Sequence, residues 1–259
     1  MNPQLPLTDL RYEMHGPVAL VTIDRPAQLN AINVHVRRGL FEAFRRFEAD
    51  ADARVLILTG AGEKAFCAGM DLKEAAANAL AVPPPDFLPI LGQNVQVNKP
   101  TIAAVNGMAF AGGWLLAQMC DLCLAAEHAS FGITEARVGR GMPWAAPLAS
   151  MVQQRALMEL LLTAEPISAA RAREIGFVNH VVPLPELLQK CFAMAGKIAA
   201  NAPLTVRAAR ELVYLSTEMG RSAAQRAATH LFESVYRSED AQEGPRAFRE
   251  KRPPAWKGR

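Results

Sequence analysis

Short continuous apolar runs recur along the chain, and helical patterns separate them. The runs occupy residues 18–24, 54–60, 101–107, 121–126 and 177–183. A strand that is apolar on both sides is typical of a parallel sheet covered by helices. The alternation of such strands with helices therefore predicts an α/β fold with parallel pairing.

Helical patterns become continuous in the last third of the chain. Residues 34–50 already form one predicted helix inside the core, with Asn33 as its N-cap. From residue 185 onward only helical patterns occur. The sequence predicts an α/β core over residues 1–200 and an all-helical oligomerisation region over residues 201–259.

Composition and charge exclude several classes of partner. Charged residues make up 20% of the chain and the net charge is +3, so a basic face for nucleic acid is not expected. The most apolar segment, residues 110–126, is interrupted by Gln118 and Asp121, and the first residues lack the pattern of a signal peptide. Cys120 and Cys123 lack the second pair that a zinc site needs. We expect a cytoplasmic protein with free buried thiols, no metal and no membrane contact.

Two of the predicted strands end in glycine-containing segments that lead into helices, at residues 58–74 and 107–121. The first turn of a helix offers unpaired N–H groups and the positive end of the helix dipole. Glycine lets a bound molecule approach the main chain closely. Two N–H groups that converge from two such segments would make an oxyanion hole, although ordinary strand-to-helix turns have the same local sequence.

Six ordered segments make the chain resemble the crotonase family, the enoyl-CoA hydratase/isomerase superfamily. They are RPAQLNAI, FCAGMDLKE, AAVNGMAFAGG followed by CD, ASFGITEARVGRG, LTAEPISAARAREIGFVNHVVP and EDAQEGPRAFREKRPPAWKGR. The resemblance covers nearly the whole chain. It implies a crotonase-like spiral of ββα units with an all-helical C-terminal region. It also implies an acyl-CoA substrate without a further cofactor, and a homotrimer or hexamer.

The same resemblance implies the positions of the site. The backbone N–H groups of Met70 and Gly112 would hold the thioester oxygen as it becomes an enolate. Relatives have glycine where this chain has Ala111, but a backbone donor requires no particular side chain. The glycines of residues 107–113 would let the thioester lie against the main chain. The positions implied to contact coenzyme A are Gln28, Leu29, Ala68, Asp71, Leu72, Phe248 and Lys251.

The family's hydratases use two glutamates, and this chain keeps one of them. By resemblance the first position is Leu115, and the second is Glu135 in the pattern FGITE. Hydration must activate water at C3 and place a proton at C2, and one positioned acid or base contributes ~10²–10⁴ in rate. One carboxylate suffices to move a proton between two carbons of an enolate. The sequence therefore favours isomerase-like double-bond migration by Glu135.

Several neighbouring residues have more than one interpretation. Phe131, Ile133 and Val138 are expected to bury Glu135 and raise its pKa toward working pH. The aromatic candidates for narrowing the acyl pocket, or for the core, are Trp114 and Trp144. The polar candidates are Asp71 as an N-cap, Asp121 at a strand start, His128 in a surface turn, and Arg137 and Arg140 in ion pairs or against an acidic acyl group.

Two other functions stay open on sequence alone. One is a hydratase in which another group replaces the second glutamate, and the other is a non-catalytic homologue that binds acyl-CoA or RNA. The retained Glu135 and both oxyanion segments argue against the second. The C-terminal helices carry apolar stripes, which include Leu204, Leu212 and Leu231, that a monomer would leave uncovered.

Overall fold

Two β-sheets form the centre of the structure, which is a computed structural model that describes residues 8–71, 74 and 82–259. The larger sheet contains β1 (Leu10–His15), β2 (Val18–Ile23), β3 (Val55–Gly60), β5 (Thr101–Val105), β7 (Leu122–Ala126) and β10 (His180–Val182), in that spatial order. The smaller sheet contains β4 (Ala65–Cys67), β6 (Met108–Phe110), β8 (Ser130–Gly132) and β9 (Ile167–Ser168), also in chain order.

The chain alternates between the two sheets. The pairs β3 and β4, β5 and β6, and β7 and β8 each place one strand in the larger sheet and the next strand in the smaller one. Pairing is parallel throughout, except for β1 with β2 and β8 with β9. This repeated advance confirms the predicted spiral of ββα units.

Helices cover the sheets and then form the C-terminal part of the molecule. They are α1 (Val34–Ala49), α2 (Gly112–Gln118), α3 (Leu148–Met151), α4 (Gln154–Thr163), α5 (Ala169–Glu174), α6 (Leu184–Ala199), α7 (Pro203–Glu218), α8 (Arg221–Tyr236) and α9 (Glu239–Glu250). Short 3-10 turns occur at Pro26–Gln28, Glu135–Val138 and Pro143–Ala145. The described strands end at Val182, so the helical C-terminal part is confirmed. The division into domains at residue 200 stays a prediction.

The predicted elements form for the reasons that the sequence suggested. The side chain of Asn33 caps α1 by accepting a hydrogen bond from the Val36 N–H at 2.8 Å. Leu40, Phe44 and Phe47 of that helix are fully buried. All residues of β2, β3 and β5 are buried as well, as expected for strands covered on both faces.

One predicted strand is shorter than its sequence pattern. The run at residues 177–183 forms a strand only over His180–Val182. Phe177 and Val178 instead close the end of α5, where both of their N–H groups donate to the Ala172 carbonyl. Their side chains are buried because they fill the core beneath that turn.

Asp121 joins the C-terminal helices to the larger sheet. Its Oδ2 accepts hydrogen bonds from both the N–H and the hydroxyl of Thr101. Its Oδ1 accepts from Arg210 Nε and from Tyr214 Oη, both at 2.7 Å. This pairing fixes α7 against the start of β7 and confirms the structural interpretation of Asp121.

Three further features bear on the expectations from composition: the cysteines, the character of the helices and the distribution of potential metal ligands. All four cysteines are free and buried, as expected. Among the residues that the structure describes, no helix is long and apolar enough to cross a membrane. No group of three or more His, Cys, Asp or Glu side chains in that same part of the chain could hold a metal ion.

Candidate active site

Three predicted site residues follow three neighbouring strands of the smaller sheet. β4, β6 and β8 are parallel neighbours. Met70 comes shortly after the end of β4, Gly112 after β6 and Glu135 after β8. The carboxyl ends of parallel strands meet at one edge of a sheet, so the topology brings the two predicted oxyanion donors and the carboxylate to the same edge.

A parallel bridge to Ile32 sets the direction of the Met70 N–H. The Ile32 N–H donates to the Gly69 carbonyl at 2.8 Å, and the Asp71 N–H donates to the Ile32 carbonyl at 3.0 Å. Both bonds use the residues that flank Met70. In such a bridge the N–H of the central residue points to the opposite side, so the Met70 N–H is directed away from Ile32.

Gly112 begins α2 and lies against residues 69–71, which are called the Met70 segment below. The first intrahelical bond of α2 runs from the Leu115 N–H to the Ala111 carbonyl at 3.1 Å, so the Gly112 N–H has no partner within the helix. A Cβ atom placed on Gly69 would lie 3.4 Å from Gly112 N. The two predicted oxyanion donors therefore come from chain segments that touch each other.

The glycines around α2 have a different role from the one that the sequence suggested. A Cβ on Gly113 would overlap the carbonyl oxygen of Cys67, and one on Gly107 would lie 2.5 Å from the main chain of Lys64. These two glycines allow the backbone to pass close to β4. Only Gly112 retains the predicted role of leaving room beside the donor, because the nearest atom to its Cβ position is the flexible tip of Ile32 at 3.1 Å.

Glu135 is a buried carboxylic acid with one partnered and one unpartnered oxygen. Its residue exposure is 8%. Oε1 accepts a hydrogen bond from Trp144 Nε1 at 3.1 Å, whereas Oε2 is buried without a hydrogen-bond partner. Burial raises the pKa of Glu135 above its ordinary value, and hydrogen bonds from the nearby backbone and from Trp144 partly oppose that rise.

The apolar surroundings of Glu135 differ from the prediction at one position. Phe131 and Ile133 are fully buried, as expected. Val138 is 70% exposed, because the 3-10 turn that begins at Glu135 carries it outward. The partly buried Trp144, rather than Val138, contacts the Glu135 carboxyl group.

A cavity of about 1040 Å³ lies beside Trp144, the hydrogen-bond partner of Glu135, although Glu135 itself is not among the residues that line it. Leu115, Gln118 and Trp144 are among its lining residues. Leu115 and Gln118 are one turn apart on α2 and therefore lie on the same side of that helix. The position where a hydratase would carry its other carboxylate is thus an apolar part of the cavity wall.

The structure brings together some of the predicted coenzyme A positions. Gln28 is exposed, and Leu29 follows it at a left-handed turn. The Ala68 N–H donates to the Leu29 carbonyl at 3.0 Å, so these segments are adjacent. Leu72 lies outside the described residues.

Two further coenzyme A positions are in the C-terminal part of the chain. Phe248 lies on α9 with 87% of its surface exposed. Lys251 is the exposed C-cap of that helix, in the left-handed conformation. The structure does not place either residue next to Met70 or Glu135 of the same chain.

An arginine that the sequence analysis did not single out holds the Met70 segment in place. Both terminal nitrogens of Arg25 donate to Asp71 Oδ2 at 3.2 Å, and Nη1 also donates to the Ala31 carbonyl at 2.6 Å. Arg25 Nε lies 3.3 Å from Asp9 Oδ2. The Arg-Pro pair at the start of RPAQLNAI was the available signal. A cation close in sequence to that turn needs an anionic partner, which here is Asp71.

The remaining candidates have structural positions. His128 is exposed and its Nε2 lies 2.8 Å from the Glu63 carbonyl oxygen. Arg137 pairs with Glu165. Trp114 is fully buried and packs against Phe131 and Phe177, so it belongs to the core.

Burial also excludes a reactive thiol beside the Met70 segment. Cys67 is fully buried, and this burial raises the pKa of its thiol to about 12. A thiol with so high a pKa remains protonated at neutral pH and is a poor nucleophile. Cys67 is therefore not a candidate nucleophile at this edge of the sheet.

The fold and these positions define a crotonase-type protein. The family model for enoyl-CoA hydratase/isomerase matches residues 13–259. The chain belongs to this family of enzymes, as the sequence resemblance implied.

Relatives of known name and structure cover almost the whole chain. Carnitinyl-CoA dehydratase from Salmonella typhi is 38% identical in an alignment 260 positions long, which covers 96% of this chain and 98% of that protein. The fold is similar to enoyl-CoA hydratase from Mycobacterium tuberculosis H37Rv, with a TM-score of 0.89, 36% identity, and coverage of 97% and 99%. Enoyl-CoA hydratase from Bacillus anthracis gives a TM-score of 0.87 at 32% identity, with coverage of 97% and 100%.

Proposed function

We propose that this enzyme moves a double bond within an acyl-CoA thioester, with Glu135 as the only proton-transferring carboxylate. The observation that carries the proposal is the chemistry of the two positions at which the family's hydratases have glutamates. Leu115 is apolar where a second acid would stand, and Glu135 is a buried acid with a free oxygen. This pair suits proton transfer better than the activation of water.

The reaction requires one proton acceptor and a stabilised enolate. The Glu135 carboxylate takes a proton from C2 of a 3-enoyl-CoA, and the electrons of that C–H bond move toward the thioester carbonyl. The N–H groups of Met70 and Gly112 hold the negative oxygen of the dienolate. The protonated Glu135 then returns the proton to C4, the double bond forms between C2 and C3, and the carboxylate is regenerated.

A substrate panel tests this function. The protein is incubated with 3-enoyl-CoA and 2-enoyl-CoA esters of several chain lengths, and double-bond migration and hydration are followed separately. We expect migration with at least one ester and hydration slower than migration by about 10² or more, which reflects one missing acid–base group. Hydration as fast as migration would contradict the proposal.

Dehydration is a second candidate because of the relatives. A protein named carnitinyl-CoA dehydratase is 38% identical over nearly the whole chain. A chain with that activity would eliminate water from a 3-hydroxyacyl-CoA, and the group that protonates the leaving hydroxyl would have to replace a carboxylate at Leu115. Carnitinyl-CoA and 3-hydroxybutyryl-CoA are therefore included in the same panel, and elimination from either one would favour this candidate.

The nucleotide end of coenzyme A is proposed to contact Phe248 and Lys251 of a neighbouring subunit. Both residues are exposed on α9, where an ammonium group can meet the 3′-phosphate. We expect Lys251→Ala to weaken acyl-CoA binding several-fold and to leave binding of the 3′-dephospho form unchanged. Lys257→Ala is the control, because Lys257 already pairs with Glu239, and an equal effect of both changes would argue against this contact.

A further inference from the structure

The most informative unexplained feature near the site is the way in which Trp144 is held at both ends. Its indole N–H donates to Glu135 Oε1 at 3.1 Å. Its backbone carbonyl accepts a hydrogen bond from Gln118 Nε2 at 2.8 Å. Trp144 lies in the short 3-10 turn Pro143–Ala145, which leaves it little conformational freedom of its own.

Gln118 is a polar residue on an otherwise apolar helix. It is 4% exposed, and every other residue of α2 from Gly113 to Ala117 is buried and apolar. A buried amide in such a place needs hydrogen bonds to offset the loss of its hydration. Its bond to the Trp144 carbonyl fixes the turn, although its Oε1 remains without a partner.

The two carboxyl oxygens of Glu135 differ in their hydrogen bonding. Oε1 is occupied by the indole N–H, and Oε2 has no donor. A carboxylate oxygen that already accepts a hydrogen bond is the weaker proton acceptor of the two. The oxygen without a donor is therefore the better base.

We propose that Trp144 is a positioning residue that fixes Glu135 through Oε1 and leaves Oε2 as the atom that carries the proton, with Gln118 holding Trp144. This inference rests on the proposed function. In a site with a single acid, the indole donor supplies the orientation and the partial charge stabilisation that a second polar group would otherwise provide. The indole donor also helps the buried Glu135 to ionise, because its hydrogen bond opposes the rise in pKa that burial causes.

The charged side chains around Glu135 do not provide this stabilisation of its carboxylate form. Arg137 of the Glu135 turn pairs with Glu165, and Arg140 bonds to the Glu135 carbonyl through its backbone N–H. The helix packed against this turn, α4, buries apolar residues, and its charged residues Arg155 and Glu159 are exposed. Hydrogen bonds from the Glu135 backbone, from the Trp144 side chain and from the Thr134 backbone lower the pKa of Glu135, and Trp144 is the side-chain donor among them.

The test compares Trp144→Phe with the wild type. Phenylalanine keeps an aromatic ring at this position and removes the indole donor together with part of the ring volume, a loss of volume that the control below shares. The measurement is the rate of C2 proton exchange of butyryl-CoA in D₂O as a function of pH. We expect the apparent pKa of activity to move up by about one unit, so that the rate below it falls about ten-fold, with a change in KM of less than about two-fold.

Trp114→Phe is the matched control. Trp114 is fully buried whereas Trp144 is partly buried, and the indole N–H of Trp114 has no hydrogen-bond partner. A role in packing alone would change activity without moving the pH profile. A Trp144→Phe profile that coincides with the wild type, or that moves no further than the Trp114→Phe profile, would overturn the inference.

Two further measurements keep the inference testable in every case. If Trp144→Phe does not fold, Gln118→Leu frees the turn without touching the indole, and the profile should move in the same direction by a smaller amount. An unchanged profile would contradict the proposal. If the wild type exchanges no proton with any acyl-CoA, the proposed function fails, while the pH dependence of thermal unfolding in the two tryptophan variants still tests the bond to Glu135.

Discussion

At the scale of single residues, burial of Glu135 links activity to stability. Burial raises the pKa of Glu135 in the folded state. Ionisation of Glu135 therefore lowers the free energy of unfolding, and this loss is absent at low pH, where the group is protonated in both states. Above the raised pKa the wild type bears the whole cost, and below the ordinary pKa it bears none. We expect Glu135→Gln to be as stable as the wild type near pH 4 and progressively more stable as pH rises.

Thermal unfolding, measured from pH 4 to above the raised pKa of Glu135, checks this expectation. Glu165→Gln is the control, because the Glu165 side chain is 73% exposed and its charge is solvated. The stability advantage of Glu135→Gln should grow with pH, whereas that of the control should not. A constant difference for Glu135→Gln would mean that this carboxyl group is not destabilised by burial.

Leu115 carries the second prediction at this scale. It is 4% exposed and lines the cavity. Leu115→Glu restores a second acid, and we expect crotonyl-CoA hydration to rise by about 10². Leu115→Gln has the same shape without the acid and should give no gain. Circular dichroism must first show that both variants fold, because a buried unpaired carboxylate costs stability.

The site residues were predictable from sequence to different degrees. Glu135 and the apolar Leu115 were visible because they occupy motif positions close to glycines. The bond from Trp144 was not visible, because it joins residues of two different turns and depends on how the chain folds around α2. Val138 was misassigned for the same reason, since a 3-10 turn changes which side chains face inward.

At the scale of elements, the entry into α2 contains a strained residue. Ala111 has φ 50° and ψ −116°, a conformation that favours glycine. Strain of this kind costs ~1–3 kcal/mol, and glycine recovers part of it at the expense of a more flexible unfolded state. We expect Ala111→Gly to stabilise the protein by about 1 kcal/mol in urea unfolding.

The nearby Gly113 gives the opposite expectation. A Cβ atom on Gly113 would lie 2.0 Å from the Cys67 carbonyl oxygen, so no side chain fits there. Gly113→Ala should destabilise the protein by ~3 kcal/mol or more through overpacking. Equal effects of the two changes in urea unfolding would show that the entry into α2 is less tightly constrained than this geometry indicates.

Arg25 joins the RPAQLNAI turn to the Met70 segment. Arg25→Lys retains the charge but loses the two-nitrogen contact with Asp71 and part of the contact with Ala31. We expect a loss of ~1–3 kcal/mol in stability and a fall in kcat larger than the rise in KM, because the Met70 N–H loses its fixed position. Arg11→Lys, at an exposed ion pair with Asp24, should change neither, and a similar effect in both variants would contradict the role of Arg25.

The elements themselves were largely predictable. Runs such as residues 54–60 and 101–107 are apolar without interruption, and such runs have few alternatives to a buried strand. The short strands of the smaller sheet, such as Ala65–Cys67, carry too few residues to show a pattern. Their pairing depends on contacts between distant parts of the chain.

At the scale of the whole molecule, we expect a homotrimer or a hexamer. Leu204, Leu212 and Leu231 are only partly buried within one chain, and Val213 on the same helix as Leu212 is 63% exposed. Burial of this surface against other copies would remove it from water. Light scattering should give a mass about three or six times the 28.1 kDa of one chain, and a monomer across the micromolar range would contradict the expectation.

The role of Glu135 in proton transfer is tested by C2 proton exchange of butyryl-CoA in D₂O, measured for the wild type and for Glu135→Gln. This reaction requires only the acid and the two backbone donors, whichever acyl group the enzyme prefers. We expect the wild type to exchange the proton and Glu135→Gln, at equal folding, to be slower by ~10²–10⁴. Exchange by Glu135→Gln at the wild-type rate would show that another group moves the proton.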